Sequence, residues 1–266
     1  MLTGERLATT GLDAVALKPK EHDLPQARSL DVDSLVVDYE GREHLPDWGT
    51  LSSLAEGATV YLTAPVRADG FDPQGDDSLL RAALASLPES VGLTFVAGNP
   101  AYLTEGERTR AIAPRLRAAL DAYHGDRPAP WVGTEGVERL ALAAGGVQFD
   151  LLSRSTLREL RALRTVGMDE DVAVYAPTVL SADEDEILDA VGGYVSRRRA
   201  VSAALPEGAA TDSRATGRAR DVLLAAAGDF ALVGTASEVR DQVAALHEAG
   251  ATTVVGYPAR GIESLR

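Results

Sequence analysis

Two lysines occur in the 266-residue chain, Lys18 and Lys20, on either side of Pro19. All other cationic side chains apart from histidine are arginines. An ammonium offers what a guanidinium does not. Its pKa falls on burial, and the free amine can form a Schiff base with a carbonyl compound. The competing reading is plain neutralisation of Glu21 or Asp23 nearby. Asp38 and Glu40 flank Tyr39 further on, and with the lysines they make the candidate catalytic set Lys18, Lys20, Asp38 and Glu40.

A second group of residues suits an anion. Gly133-Thr134-Glu135-Gly136 stands between an apolar run and a helical one. Small residues there let backbone N–H groups approach a phosphate, and a helix N-terminus attracts it. A tight strand-to-helix turn would use the same residues for geometry alone, and Glu135 must point away from any anion. Arg67, Arg154 and Arg260 each follow an apolar run, as do Asn99 and Tyr257. The candidate cofactor-binding residues are therefore Gly133, Thr134, Gly136, Asn99, Arg154, Arg67, Tyr257 and Arg260. Cations gathered at one end of an acidic protein would reverse its sign locally and favour an anionic or phosphate-bearing small molecule. The alternative is that each pairs with one of the 40 carboxylates.

Other chemistries have little support. No cysteine is present, so disulfides, thiolate metal sites and a cysteine nucleophile are excluded. His22, His44, His124 and His247 show no H-x-x-x-H spacing, and no metal site is expected. His124 and His247 read as surface residues; His22 and His44 follow early strands and could act as acid–base groups. No G-x-S-x-G is found.

The net charge of −14, the scarcity of lysine and the abundance of alanine resemble cytosolic proteins of salt-in halophiles. The charge then reflects the solvent, and it argues against nucleic acid as a partner. No apolar run reaches membrane-spanning length and no basic-then-apolar leader opens the chain, so a cytoplasmic protein is expected.

Eight short apolar runs supply strands to carry these residues: Asp13–Leu17, Ser34–Val37, Thr59–Thr63, Val91–Ala97, Pro130–Val132, Val147–Leu152, Val172–Tyr175 and Thr252–Gly256. Helical spacing fills most gaps between them. It predicts helices at Leu24–Leu30, Leu51–Glu56, Ser78–Leu87, Val137–Ala144 and Ser155–Thr165, and one at Thr104–Tyr123 with a Thr104/Glu107 capping box and Pro114 inside it. Later helices are expected at Asp183–Val201, capped by Ser181, and at Asp212–Ala226. A last one is capped by Thr235 or Ser237 and ended by Gly250. Alternation of this kind predicts a parallel sheet, and eight repeats favour an α/β fold of (β/α)8 TIM-barrel type in one domain spanning 1–266. A doubly wound open sheet is the alternative, although no G-x-G-x-x-G follows the first strand. If the fold is a barrel, chemistry belongs at the carboxyl ends of the strands, where the candidate residues above all lie.

The segment V-G-T-A-S-E-V-R-D-Q-V-A-A-L-H-E-A-G-A-T-T-V-V, from Val233, resembles the C-terminal signature of luciferase-like oxidoreductases. Bacterial luciferase and the deazaflavin-dependent methylenetetrahydromethanopterin reductases belong to that family. Pro130 to Leu152 and Asp171 to Val195 are similar to its preceding strand–turn–helix segments. The resemblance implies a TIM barrel that binds coenzyme F420 or FMN and transfers hydride or activates oxygen. It places Gly133, Thr134 and Gly136 where the cofactor phosphate is held. Lys18-Pro19-Lys20 and Asp38-Tyr39-Glu40 match no family contact, and the chain is short, as in a diverged member of haloarchaeal type. Two other readings stand beside this one. One is a cofactor-free lyase or aldolase using a strand-one lysine; the other is a non-catalytic barrel that has lost its cofactor. Homo-oligomerisation is left open.

Overall fold

Short runs of Val, Leu and Ala build the strands, and nearly every residue in them is buried. Such runs suit parallel strands covered on both faces. The structure is a computed structural model that describes residues 5–133 and 142–266. Two units are distinguished: Asp13–Asp150 with Asp169–Ala173, and Met1–Leu12 with Leu151–Met168 and Val174–Arg266.

The first unit carries β1 (Ala14–Leu17), β2 (Ser34–Val37), β3 (Thr59–Pro65), β4 (Val91–Val96), β5 (Trp131–Gly133) and β6 (Val147–Leu151). Each pairs in parallel with the next. Helices Trp48–Leu54, Ser78–Ser86 and Ile112–Ala122 lie between them in sequence and bury Leu51, Leu54, Leu80, Ala83, Leu116 and Ala119. Phe95 of β4 meets Tyr123, just past the third of these helices, edge to face at 5.8 Å. The sheet face bearing Phe95 and Leu93 is therefore the helix-covered one.

Several boundaries differ from expectation for local reasons. The helix expected from Leu51 begins at Trp48, because the Asp47 carboxylate accepts from Thr50 N at 2.8 Å and caps it. The single helix expected over Thr104–Tyr123 is two, Glu105–Arg108 and Ile112–Ala122. The Thr104/Glu107 capping box is present. Pro114 falls in the first turn of the second helix, where its missing N–H has no intrahelical partner to lose.

In the second unit the strand order is β9–β7–β8, with β7 at Val172–Leu180, β8 at Leu232–Gly234 and β9 at Thr253–Pro258. β7 runs well beyond the expected Tyr175, and its end, Thr178–Leu180, pairs in parallel with β8. β8 was not foreseen; three residues directly before a capping box read as a helix lead-in. The helix Ala236–Ala249 matches expectation, with Thr235 rather than Ser237 as its cap and Gly250 at φ 122° as its stop. The helix expected over Asp183–Val201 is interrupted. It runs as Glu184–Ile187, a π turn at Leu188–Gly192 and Gly193–Ser196, and a separate helix covers Arg199–Ala204. Asp183, not Ser181, caps it, accepting from Asp185 N and Glu186 N. The helix expected from Asp212 starts at Gly217 and extends to Phe230. A short helix at Glu5–Thr10 was also not foreseen. Among the described residues no helix is long and apolar enough to cross a membrane.

Candidate functional site

Register fixes which side chains share a row. Leu17 pairs with Val37 and Val37 with Leu62, so the next residues, Lys18, Asp38 and Thr63, continue side by side. Asp38 N donates to Leu17 O at 2.8 Å, as this pairing requires. Thr63 pairs with Thr94, and Thr94 with Trp131. Lys18, Asp38, Thr63 and Thr94 thus lie on the sheet face opposite Leu62, Leu93 and Phe95, turned from the helices.

Glu40 is the most buried carboxylate of the predicted catalytic set, 3% exposed. One oxygen accepts from Lys20 N at 2.9 Å and the other from the Tyr102 hydroxyl at 3.3 Å. Burial, followed by the charge of Glu40, pushes the Tyr102 phenol above its usual pKa. Asn99, expected to touch a cofactor, accepts from Ala101 N at 2.9 Å and caps the turn Pro100–Tyr102. It therefore positions Tyr102. The Lys20 ammonium is exposed, and that of Lys18 lies 3.6 Å from Glu21. Lys18 N donates to Nδ1 of the buried His22 at 3.0 Å, so this imidazole stabilises the turn after β1.

Thr63 receives Tyr39 N on its hydroxyl oxygen at 2.5 Å. Burial raises the Tyr39 phenol, with the charges of Glu107 and Glu43 adding to it. Arg67 does not present its guanidinium to an anion. Its Nε, Nη1 and Nη2 donate to the carbonyls of Ala97, Arg108 and Gly98 at 2.6, 2.8 and 3.0 Å. Beside it Asp72, 1% exposed, holds Arg110 at 3.1 Å and Arg115 at 2.8 Å. Glu107 accepts from Asp69 N at 2.8 Å and from Thr104 N at 2.7 Å. These bonds tie the loop after β3 to the segments that follow β4. Gly133 ends β5 with its backbone pressed on β6; a Cβ there would meet Phe149 O at 2.1 Å. Thr134 and Gly136, with Glu135, lie outside the described residues.

In the second unit Arg154 is exposed beyond β6. Tyr257 stacks on Tyr175 with centroids 6.3 Å apart. Arg260 pairs with Glu186 at 2.5 and 2.9 Å, the neutralisation weighed against anion binding.

A family model matches residues 7–265. The chain belongs to DUF7388, a family of unknown function. Curated proteins give no match to this DUF7388 member. Among solved structures it is similar to an F420-dependent secondary alcohol dehydrogenase in complex with an F420-acetone adduct. The likeness covers 94% of each chain with a TM-score of 0.61 at 14% identity. It shows the fold: the DUF7388 chain has the (β/α)8 TIM-barrel fold expected from its alternation of strands and helices. Strands β1 to β7 and β9 are the eight read in the sequence; β8 is additional.

Sequence reasoning missed Tyr102, Thr94 and Asp72 in the DUF7388 chain. Tyr102 carried a weak signal, since it follows the turn-forming Gly98-Asn99-Pro100 at a strand end. Thr94 carried none, because its place depends on register. Among the described residues no group of three or more His, Asp or Glu side chains could hold a metal ion. A cavity of about 260 Å³ lies near the amino end of β2, between Ala27, Leu30, Leu35 and Leu54, away from the strand ends described above.

Proposed function

We propose that this DUF7388 protein is a cytoplasmic oxidoreductase of the luciferase-like type that uses coenzyme F420 or FMN. The observation that carries the reading is the buried Glu40 carboxylate, held between Lys20 N and the Tyr102 hydroxyl beside the row Lys18, Asp38, Thr63 and Thr94. The similar fold of an F420-dependent dehydrogenase supports the choice of cofactor class.

The donor set suits such a cofactor in two respects. Lys20 offers an exposed ammonium to an anionic group, and the partly exposed Tyr102 phenol, held on Glu40, can meet a bound ring or substrate. Gly133, with Thr134 and Gly136, remains the candidate phosphate cradle. When bound, the cofactor would supply or accept the hydride, and the protein's own contribution is placement and proton handling. Glu40 and Tyr102 share one hydrogen, so the pair can hold a proton for a substrate oxygen at the end of β2. Arg67 and Asn99 act through the backbone, keeping the segments after β3 and β4 in place.

Purified protein titrated with coenzyme F420 and with FMN in concentrated KCl tests the reading, with cofactor fluorescence as the signal. Binding of one of them at micromolar concentration is expected. If neither binds, the reading fails. A second reading, Schiff-base chemistry at Lys18, draws on the position of this lysine beside Asp38 at the end of β1. Borohydride trapping with carbonyl compounds, repeated on Lys18→Arg, decides it.

A further inference from the structure

The cavity near the amino end of β2 is no part of the strand-end site. Its apolar walls are Ala27, Leu30, Leu35, Leu54 and Ala58. Leu35 and Leu54 are each 2% exposed, so the floor is core. Gly57 stands exposed at the edge, where a Cβ would meet no atom within 4 Å, so the mouth is open to solvent. The volume is about 260 Å³. An apolar cavity of about 150 Å³ already holds a molecule the size of benzene. Space and access for a branched or aromatic side chain are therefore both present.

Two opposite charges stand at this mouth. Arg28 lies in the last turn of the 3-10 helix Leu24–Ser29, and Glu56 follows the helix Trp48–Leu54. Both line the cavity, with side chains 55% and 69% exposed. They touch at one point, Arg28 Nη2 donating to Glu56 Oε2 at 3.2 Å, and neither side chain has another polar partner among the described residues. An exposed pair of this kind adds little to stability, so a ligand can replace it at little cost. The guanidinium keeps donors for a carboxylate, and Glu56 keeps an oxygen for an ammonium. A ligand that joins both charges to an apolar body satisfies the rim and the walls together. Its zero net charge also avoids repulsion by Asp31 and Asp33, which follow Leu30, and by the acidic chain as a whole. We propose that this cavity binds an α-amino acid with an apolar side chain. The carboxylate lies on Arg28, the ammonium on Glu56, and the side chain against Leu30, Leu35 and Leu54. The site goes beyond the oxidoreductase reading and does not depend on it.

Ligand-observed NMR on the full chain tests the site with leucine, glycine, isocaproate and isoamylamine. Isocaproate lacks the ammonium of leucine, and isoamylamine lacks its carboxylate. Leucine should bind at millimolar concentration or below, and glycine, without an apolar body, should not bind. Each singly charged analogue should bind roughly tenfold more weakly than leucine. Arg28→Gln should weaken leucine roughly tenfold and leave isoamylamine unchanged. Glu56→Gln should weaken leucine to a similar extent and leave isocaproate no weaker. Both variants should keep the Tm of the unsubstituted protein, since an exposed ion pair contributes little, and this separates lost binding from lost folding. Absence of leucine binding, equal binding of leucine and isocaproate, or leucine binding indifferent to both substitutions overturns the proposal.

Discussion

Tyr102 donates its phenolic hydrogen to Glu40 Oε1 at 3.3 Å, while Lys20 N holds the other carboxylate oxygen at 2.9 Å. The ends of β1, β2 and β4 thereby converge on one buried carboxylate. Removing the phenol should show whether this convergence is catalytic. Tyr102→Phe deletes one hydrogen bond at a partly exposed position, so we expect a stability loss of only about 1 kcal/mol. With an assigned substrate, turnover should fall by roughly 10²-fold, the scale of a lost acid–base group, and the pH profile of kcat should change shape. A rise in KM with kcat unchanged would assign Tyr102 to holding the substrate rather than to proton handling.

Asp72 should matter to folding more than any predicted catalytic residue. It is 1% exposed and is shared by Arg110 and Arg115, which are 26% and 15% exposed. Removing one partner of a buried ion pair leaves charge uncompensated and costs about 3–5 kcal/mol. Both arginines keep some access to water, so Asp72→Ala should fall at the lower end, about 3 kcal/mol. Urea unfolding at constant salt measures it. Because Arg110 also donates to Arg67 O at 2.8 Å, the loop after β3 should lose hydrogen-exchange protection first.

The fold was legible because its signals are local. Apolar runs such as Val91–Val96 and the capping box at Thr235 and Glu238 need only neighbouring residues to be recognised. Legibility ended where partners are far apart in sequence. Arg67 read as an anion ligand because sequence does not show that three carbonyls, from Ala97, Gly98 and Arg108, occupy its donors. Arg260 read the same way and pairs with Glu186, 74 positions earlier. Thr94 was invisible for the opposite reason: an isolated strand threonine is ordinary, and only the structure shows that its buried hydroxyl, in register with Thr63 and Trp131, has no hydrogen-bond partner among the described residues.

Stability should decline on both flanks of the pH range, for groups that can be named. Burial pushes the phenols of Tyr123 and Tyr194 up to about 12 from the ordinary value of 10.0. The neutral phenol is favoured in the folded state. Above pH 10 the unfolded chain releases protons that the folded chain retains, so stability should fall as pH rises from there. On the acid side, burial of Glu107 raises its pKa, but the N–H groups of Asp69 and Thr104 and the Thr104 hydroxyl outweigh this and leave the carboxyl below the ordinary 4.5. Its contribution is complete above that value and is lost as pH falls through the folded pKa. Thermal melts across pH should show both flanks. Glu107→Gln should flatten the acid one, and tyrosinate absorbance should lag behind free tyrosine on the alkaline one. Folded protein titrating like free tyrosine would contradict the burial of these rings.

Gly92 tests the aromatic wall that Tyr61 and Trp131 form beside Thr94. A Cβ at this position would lie 2.7 Å from the Tyr61 ring, which crosses the glycine to stack on Trp131 at 4.2 Å. Trp131 in turn lies 5.4 Å from Phe149, so the Tyr61 ring cannot shift without disturbing a row of aromatic side chains. Overpacking of this kind costs about 1–3 kcal/mol. Gly92→Ala should therefore destabilise the protein by that amount and alter the near-ultraviolet circular dichroism of Trp131. An unchanged spectrum would mean that Tyr61 rotates away freely and that the wall is not fixed.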